Sequence, residues 1–255
     1  MTASVTARVA QIHRFPVKSI GGESLDHVEL IAGQAMPGDR HYAVLHKAAL
    51  HHLEDGTLQK WLPKSAFVRG VAAPLLQAVK GGWDGDVLVL THPDLPNLQF
   101  DPDGGGEVLV EWLSPLWAES GKAEAAQLVT GPLPLTDVKK PWISILSLSS
   151  LAELEKRLGR PLGVDRWRGN IWVDGWPAWH ERDLRLAELS IGGVRMKVRE
   201  NIGRCAATSA DTDTGRLDGD MPADLRALLG DANFGIYAEP LDTGRVGVND
   251  KVVVL

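Results

Sequence analysis

The chain predicts a mostly β protein with a few helices, an α+β class built around a barrel, and three observations point there. Short stretches of alternating or continuous apolar residues recur along its length, each bounded by turn formers. Gly at 27 positions and Pro at 15 supply turns in numbers that suit short strands better than long helices. Only two or three segments combine helical spacing with a start or stop signal. Many short strands at such intervals fit a barrel.

In chain order, residues 5–17 mix β-branched and polar side chains and run into Phe15-Pro16-Val17-Lys18-Ser19-Ile20-Gly21-Gly22, a strand that ends in a glycine-bearing loop. A second short strand is expected at 28–31. Pro37-Gly38-Asp39-Arg40 then turns into an apolar strand that ends near Leu45, with Arg40 close to its start. Residues 67–71 read as a further strand, as do 87–90 after the Trp83-Asp84-Gly85-Asp86 turn. A short helix is expected from Glu107 to Leu113, stopped by Pro115. Ser150-Leu151-Ala152-Glu153 has the spacing of a capping box, followed by Leu154 and Leu158 on one face and ended by Gly159 and Pro161. Strands follow at 170–173 and 194–199, a helix from Pro222 to Leu229 stopped by Gly230, and a last strand at 251–255.

Formal net charge is -6, which argues against a general nucleic-acid binder while leaving room for a local basic pocket. No apolar run approaches the roughly eighteen residues of a membrane-spanning helix. Met1-Thr2-Ala3-Ser4-Val5 lacks the charged and apolar segments of a leader, so a cytoplasmic protein without membrane attachment is expected. A single cysteine fits a reducing compartment.

That cysteine, Cys205, lies in Asn201-Ile202-Gly203-Arg204-Cys205, after a cationic strand and before the turn-forming Asp211-Thr212-Asp213-Thr214-Gly215. A lone thiol can pack, attack an electrophile or bind a soft metal. Arg195, Arg199 and Arg204 are candidates to present positive charge to an anion beside it, although the strand cations by themselves read first as an ordinary solvated face. Lys18 and Ser19 sit at a strand end, where a charge and a hydroxyl can point at a ligand or merely form a turn. His46, His51 and His52 do not form a chelate if 51 and 52 lie on a strand, because neighbours point to opposite faces. Asp101-Pro102-Asp103-Gly104-Gly105-Gly106 lacks the spaced carboxylates and closing Glu of a calcium loop.

Taken together, Phe15-Pro16-Val17-Lys18-Ser19, Gly38-Asp39-Arg40, Arg168-Gly169-Asn170-Ile171-Trp172-Val173-Asp174-Gly175, Arg204-Cys205 with Asp213-Thr214-Gly215, and Phe234-Gly235-Ile236-Tyr237 resemble the MOSC family, named for the C-terminal domain of molybdenum cofactor sulfurases. Within it the likeness is to the two-part proteins of the mitochondrial amidoxime-reducing component type. The resemblance implies an N-terminal β-rich domain (1–118) packed on a MOSC β-barrel (119–255), with a molybdenum-molybdopterin cofactor between them. It implies that Cys205 ligates molybdenum and that Lys18, Ser19, Arg40, Arg168, Gly203, Arg204 and Tyr237 contact the cofactor. The chemistry agrees, since a phosphate calls for Lys and Arg and the metal accepts a thiolate. Where relatives often carry proline after the arginine, this chain has Gly169.

The implied activity is reduction of small N-hydroxylated compounds such as amidoximes, hydroxylamines and N-hydroxylated bases. No cysteine cluster for an iron-sulfur centre is present, so electrons are expected from a separate flavoprotein, haem or iron-sulfur carrier. Asp213, with Asp211, is a candidate catalytic proton donor or substrate contact, and equally a turn carboxylate. A sulfur carrier using a Cys205 persulfide is the competing reading, to which Lys18 and Arg40 would be superfluous.

Overall fold

The computed structural model describes residues 7–255, so the reading of Met1 to Val5 lies outside the described residues. Eight strands form the main sheet, in the spatial order Val252–Val254, Glu188–Ile191, Val194–Gly203, Asn233–Pro240, Ile143–Ser147, Ile171–Asp174, Arg8–Arg14 and Glu23–Leu25. The amide of Val9 donates to Asp250 O (2.9 Å) and that of Val252 to Ala7 O (2.8 Å), which brings the last segment of the chain beside the first strand and curls the sheet towards a barrel. Val9, Ile12, Ile145, Ile171, Met196 and Ile236 fill its interior.

Strands Ile143–Ser147 and Ile171–Asp174 run parallel, which requires a crossover, and the helix Leu148–Leu158 supplies it. Its N-cap is Ser147, whose side chain accepts from the Ser150 amide (3.3 Å). The expected capping box at 150–153 is therefore displaced by one turn, because the Ser150 hydroxyl is committed elsewhere, to Glu181. Gly159, at φ +68, ends the helix as expected. This helix and the later one, Met221–Leu229, close over Trp167, Trp172 and Phe234 in a second apolar layer.

The remainder of the fold is a smaller sheet-and-helix unit. Tyr42–His46 pairs with Ala125–Thr130, and Lys80–Asp84, Val87–His92 and Leu95–Phe100 form a three-stranded meander. The helix Gly106–Trp117 packs against both through Leu109, Leu113 and Leu116. Contrary to expectation, Pro115 does not stop this helix; the last turn is held by buried Leu116 and Trp117, the indole of Trp117 donating to Ala123 O (2.8 Å).

Residues 67–71 are not a strand. Phe67 makes one isolated bridge to Leu45, after which the chain turns at Gly70 and enters the short 3-10 helix Pro74–Ala78. His51 and His52 likewise lie in a 3-10 helix, Lys47–His52, with their rings 3.9 Å apart.

Strand pairing interleaves the two ends of the chain. Arg8–Arg14 pairs with Ile171–Asp174, His27–Leu30 with Gly244–Gly247, and Ala125–Thr130 with Tyr42–His46. A line drawn between residues 118 and 119 is thus crossed in both directions, since chain from before it joins the barrel and chain from after it joins the smaller unit.

Candidate functional site

An open cleft of about 210 Å³ lies where the two units meet. Five separate pieces of backbone deliver its chemistry. Lys18 and Ser19 follow strand Arg8–Arg14, Arg40 precedes Tyr42–His46, Arg168 follows the 3-10 turn Asp165–Trp167, and Tyr237 lies in Asn233–Pro240. Gly203 ends strand Val194–Gly203, with Arg204 and Cys205 directly after it. All eight of these residues line the same cleft. The register of Val194–Gly203 against Asn233–Pro240 shifts between Asn201 and Gly203, and such an irregularity twists a strand end and re-aims the residues beyond it.

Three non-glycine residues of the cleft hold left-handed backbone: Ser19 at φ +63, Arg40 at +49 and Arg168 at +48. Such conformations persist only where surrounding bonds enforce them. Here the Arg40 amide donates to Phe15 O (2.7 Å) and the Arg168 amide to Asp165 O (3.2 Å). The Phe15 ring lies beneath both guanidiniums, 4.6 Å from Arg40 Cζ and 4.3 Å from Arg168 Cζ.

The cations differ in how they are neutralised. Lys18, 4% exposed, donates through Nζ to Leu135 O (2.9 Å) and Asp137 Oδ1 (2.6 Å), while Arg40 pairs with buried Asp39. Burial, with Arg40 and Arg168 nearby, pushes the Lys18 ammonium below its ordinary range in spite of Asp137. Burial would raise Asp137, but Lys18 outweighs it and holds that carboxyl at about 2.

Arg168 instead donates to main-chain oxygens, Nη1 to Gly21 O (2.7 Å) and Nη2 to Val17 O (3.3 Å). Arg204 does the same, Nε to Phe234 O (2.8 Å) and Nη1 to Trp167 O (2.9 Å). Among the described residues neither has a carboxylate within ion-pair distance. Burial, and for Arg168 next the charge of Arg40, holds these groups down to about 9 and about 10. Both stay charged at neutral pH, and an anion in the cleft would relieve the cost.

Cys205 is exposed and unpaired. Its carbonyl, accepting from the Thr208 amide (3.1 Å) and hydroxyl (2.9 Å), fixes its backbone and leaves the sulfur unencumbered. At Gly203 an added Cβ would meet nothing nearer than Asn233 Oδ1 at 3.7 Å, so protein packing alone does not demand glycine there. Burial raises the Tyr237 hydroxyl, and its ring packs 5.8 Å from Trp142 on the cleft wall.

Some expected residues lie elsewhere. The Asp213 side chain is 87% exposed, 3.8 Å from Lys80, and does not line the cleft, so it is not placed to serve as a catalytic group beside Cys205. Asp211 is a turn carboxylate that accepts from the amides of Asp213 and Thr214. The loop is drawn aside by Arg166, which reaches Thr208 O (3.1 Å) and Asp218 (2.7 Å). Arg195 and Arg199 are spent on Asp242 and Glu239, away from the thiol.

The structure also adds residues that the sequence did not single out for the cleft. Asn170 cross-links the Arg168 segment to Ser144, whose hydroxyl donates to Asn170 Oδ1 (2.7 Å), and to His13 O (3.2 Å). Lys64 and Arg69 also line the cleft; neither makes an ion pair among the described residues, though the charge of Lys64 helps to lower Asp137. Asn170 adjoins a singled-out arginine, which is a usable signal; Lys64 and Arg69 carry none in sequence.

Comparison with known proteins matches a MOSC N-terminal beta barrel domain to residues 6–130 and a MOSC domain to residues 137–253. The Bos taurus protein named mitochondrial amidoxime reducing component 2 is 27% identical, over 96% of this chain and 82% of that one. The Rattus norvegicus protein of the same name is 37% identical over 43% of this chain and 36% of its own. Among solved structures, the YUAD protein of Bacillus subtilis aligns over 97% of this chain and 94% of its own, with 13% identity and a TM-score of 0.46.

Proposed function

Because the chain belongs to the MOSC-domain family, with a MOSC N-terminal beta barrel domain ahead of the MOSC domain, we propose that its cleft binds a molybdenum-molybdopterin cofactor and that the protein is an oxidoreductase acting on small N-hydroxylated compounds. The observation that carries this reading is an exposed thiol sharing one cleft with two half-buried guanidiniums, Arg168 and Arg204, whose hydrogen-bond partners among the described residues are all carbonyl oxygens. Half-buried cations without a carboxylate partner call for an anion, and a thiolate calls for a soft metal.

The residues fit the group. Its phosphate would be held by Lys18, Ser19, Arg40, Arg168 and Arg204, the Gly203 backbone and Tyr237 would lie along it, and Cys205 would ligate the metal. Among the described residues no group of three His, Cys, Asp or Glu side chains is arranged to hold a bare ion, so a metal at Cys205 is best read as arriving chelated. When bound, the group supplies two-electron oxygen-atom chemistry. The protein would orient the cofactor through these residues, with the cleft mouth open to substrate.

In the net reaction the N–O bond of a hydroxylamine breaks, two electrons and two protons enter, and an amine and water leave. The electrons come from a separate protein, for which a flavoprotein, a haem protein or an iron-sulfur carrier is suited. The names of the relatives, amidoxime reducing components, favour this class of substrate. No helix among the described residues is long and apolar enough to cross a membrane, and the lone thiol suits a reducing compartment such as the cytoplasm.

Protein made in cells that synthesise molybdopterin is expected to carry about one molybdenum per chain and to reduce a hydroxylamine with an artificial electron donor. The exposure of Cys205 also favours a persulfide carrier as second reading. Metal-free protein bearing a cyanide-labile sulfur would select that carrier and reject the reductase.

A further inference from the structure

The cleft holds more positive charge than a pterin phosphate accounts for. Lys18 is paired with Asp137, Arg40 with Asp39 and Arg166 with Asp218. Four further cations of the lining, Arg168, Arg204, Lys64 and Arg69, have no carboxylate within ion-pair distance among the described residues. A phosphate monoester carries about -1.5 to -2 near neutral pH. Arg168 and Arg204, half-buried and held by carbonyls, are matched to that charge.

Lys64 and Arg69 remain, and they differ in kind. Lys64 is exposed, at the first position of the 3-10 helix Lys64–Ala66, with Pro63 fixing the approach at φ -59. Arg69 is half-buried, and its carbonyl accepts from the amides of Ala72 (3.0 Å) and Ala73 (3.2 Å), which sets the turn while its guanidinium makes no hydrogen bond among the described residues. The next residue, Gly70, lies against Gln77, where a Cβ would meet Oε1 at 2.5 Å, and Gln77 Nε2 donates to Ala207 O (3.3 Å). The turn that carries Arg69 is thereby tied to the segment that carries Cys205.

We propose that Lys64 and Arg69 form an anion subsite at the mouth of the cleft and select N-hydroxylated substrates that bear a carboxylate or phosphate group. The proposal rests on the reductase reading above and names its substrate class. Lys64 stands near enough to Asp137 for its charge to help lower that carboxyl but makes no ion pair with it, and on a chain of net charge -6 a cleft lining this rich in cations concentrates anions at the reacting centre. A guanidinium and an ammonium free of protein acceptors keep their full donor sets for the ligand. Carboxylate and phosphate share this chemistry, and the forked geometry of Arg69 suits either.

The test uses molybdenum-loaded protein with dithionite-reduced methyl viologen as donor. Three substrates are compared: benzamidoxime, its 4-carboxy derivative and its 4-phosphate ester. Wild type is expected to show kcat/KM at least tenfold higher for an anionic substrate, the better of the two identifying the group. In Lys64→Gln/Arg69→Gln the loss on that substrate is expected to exceed the loss on benzamidoxime by tenfold or more, mainly in KM, at equal molybdenum content. Equal losses on all three substrates, lost molybdenum, or no anion preference in wild type would each overturn the subsite.

If loaded wild type reduces none of the three, the reductase reading fails and a binding measurement still decides the subsite. Benzoate and phenyl phosphate are titrated against the fluorescence of Trp142 and Trp167, which line the cleft. Binding at least tenfold weaker in the double variant than in wild type supports the subsite, and equal binding overturns it.

Discussion

Arg40 donates through Nη2 to the main-chain carbonyl of Arg168 (3.0 Å), so one cation of the cleft fixes the backbone from which another is aimed. Their guanidiniums share the Phe15 ring, and each charge raises the cost of the other. Two like charges brought together inside a fold are a preformed receptor for an anion.

Arg168→Lys is therefore expected to weaken cofactor retention by roughly tenfold while keeping most of the fold, because an ammonium preserves the charge but not the planar fork. Arg168→Ala is expected to cost about 1–3 kcal/mol of stability as well, since the Gly21 carbonyl loses its donor and the Val17 carbonyl is left with the Ile20 amide alone. Molybdenum and pterin content per chain measures the first effect and urea unfolding the second. Retention unchanged in Arg168→Lys would remove the phosphate-clamp role.

Cys205→Ala is expected to abolish reduction of hydroxylamine substrates with a stability change within about 0.5 kcal/mol, because the thiol is exposed and makes no packing contribution. Cys205→Ser separates thiolate ligation from mere shape, and is expected to be as inactive as the alanine variant. Activity retained in the serine variant would mean that sulfur is not required.

How far the site was legible in sequence depends on how local the signal is. Lys18, Arg40, Arg168 and Arg204 sit in short motifs beside Pro16, Gly38, Asn170 and Cys205, and the cleft brings all four together. Asp213 misleads because a turn carboxylate near the thiol in sequence looks the same whichever way the loop leaves, and the deciding bond, Arg166 to Asp218, spans 52 residues. Lys64 and Arg69 are silent because residues 67–71 carry strand-like spacing while Gly70 and the Pro74 helix force a turn. The departure at Gly169 is explained by packing: a Cβ there would meet Leu146 Cδ1 at 2.4 Å. Arg168 keeps its aim through the carbonyls that its side chain reaches, so the identity of its neighbour matters little to it.

The Lys18–Asp137 pair sets an acid limit on the fold. With Asp137 lowered from 3.8 to about 2, its contribution is present above the unfolded value and is lost as pH falls through the folded one. Because its carboxylate is half-exposed, solvent screening leaves this on the order of 1 kcal/mol. Asp137→Asn is expected to flatten the stability curve between about pH 4 and 2 relative to wild type, read by urea unfolding across that window. The same substitution strands a buried ammonium, so it should also lower stability at neutral pH.

Glu181 works in the opposite direction. Its side chain is fully buried behind strand Asn233–Pro240; Oε2 accepts from the Ser150 hydroxyl (2.8 Å) and Oε1 has no partner among the described residues. Burial pushes this carboxyl above its ordinary 4.5, so the folded chain holds a proton that the unfolded chain releases. Stability from this group is thus complete below 4.5 and is lost as pH rises through the folded value. Glu181→Gln keeps the acceptor for Ser150 and cannot ionise. It is expected to match wild type below pH 4.5 and to exceed it as pH rises above that value, with the gap levelling off once pH passes the folded value. The neighbouring Arg182 holds Asn233 O (3.0 Å), and its own carbonyl accepts from Asn201 Nδ2 (3.4 Å), so this turn supports the strand end that presents Gly203. Activity at alkaline pH should rise in the variant along with stability, and parallel stability curves for the two proteins would show that the proton is not held.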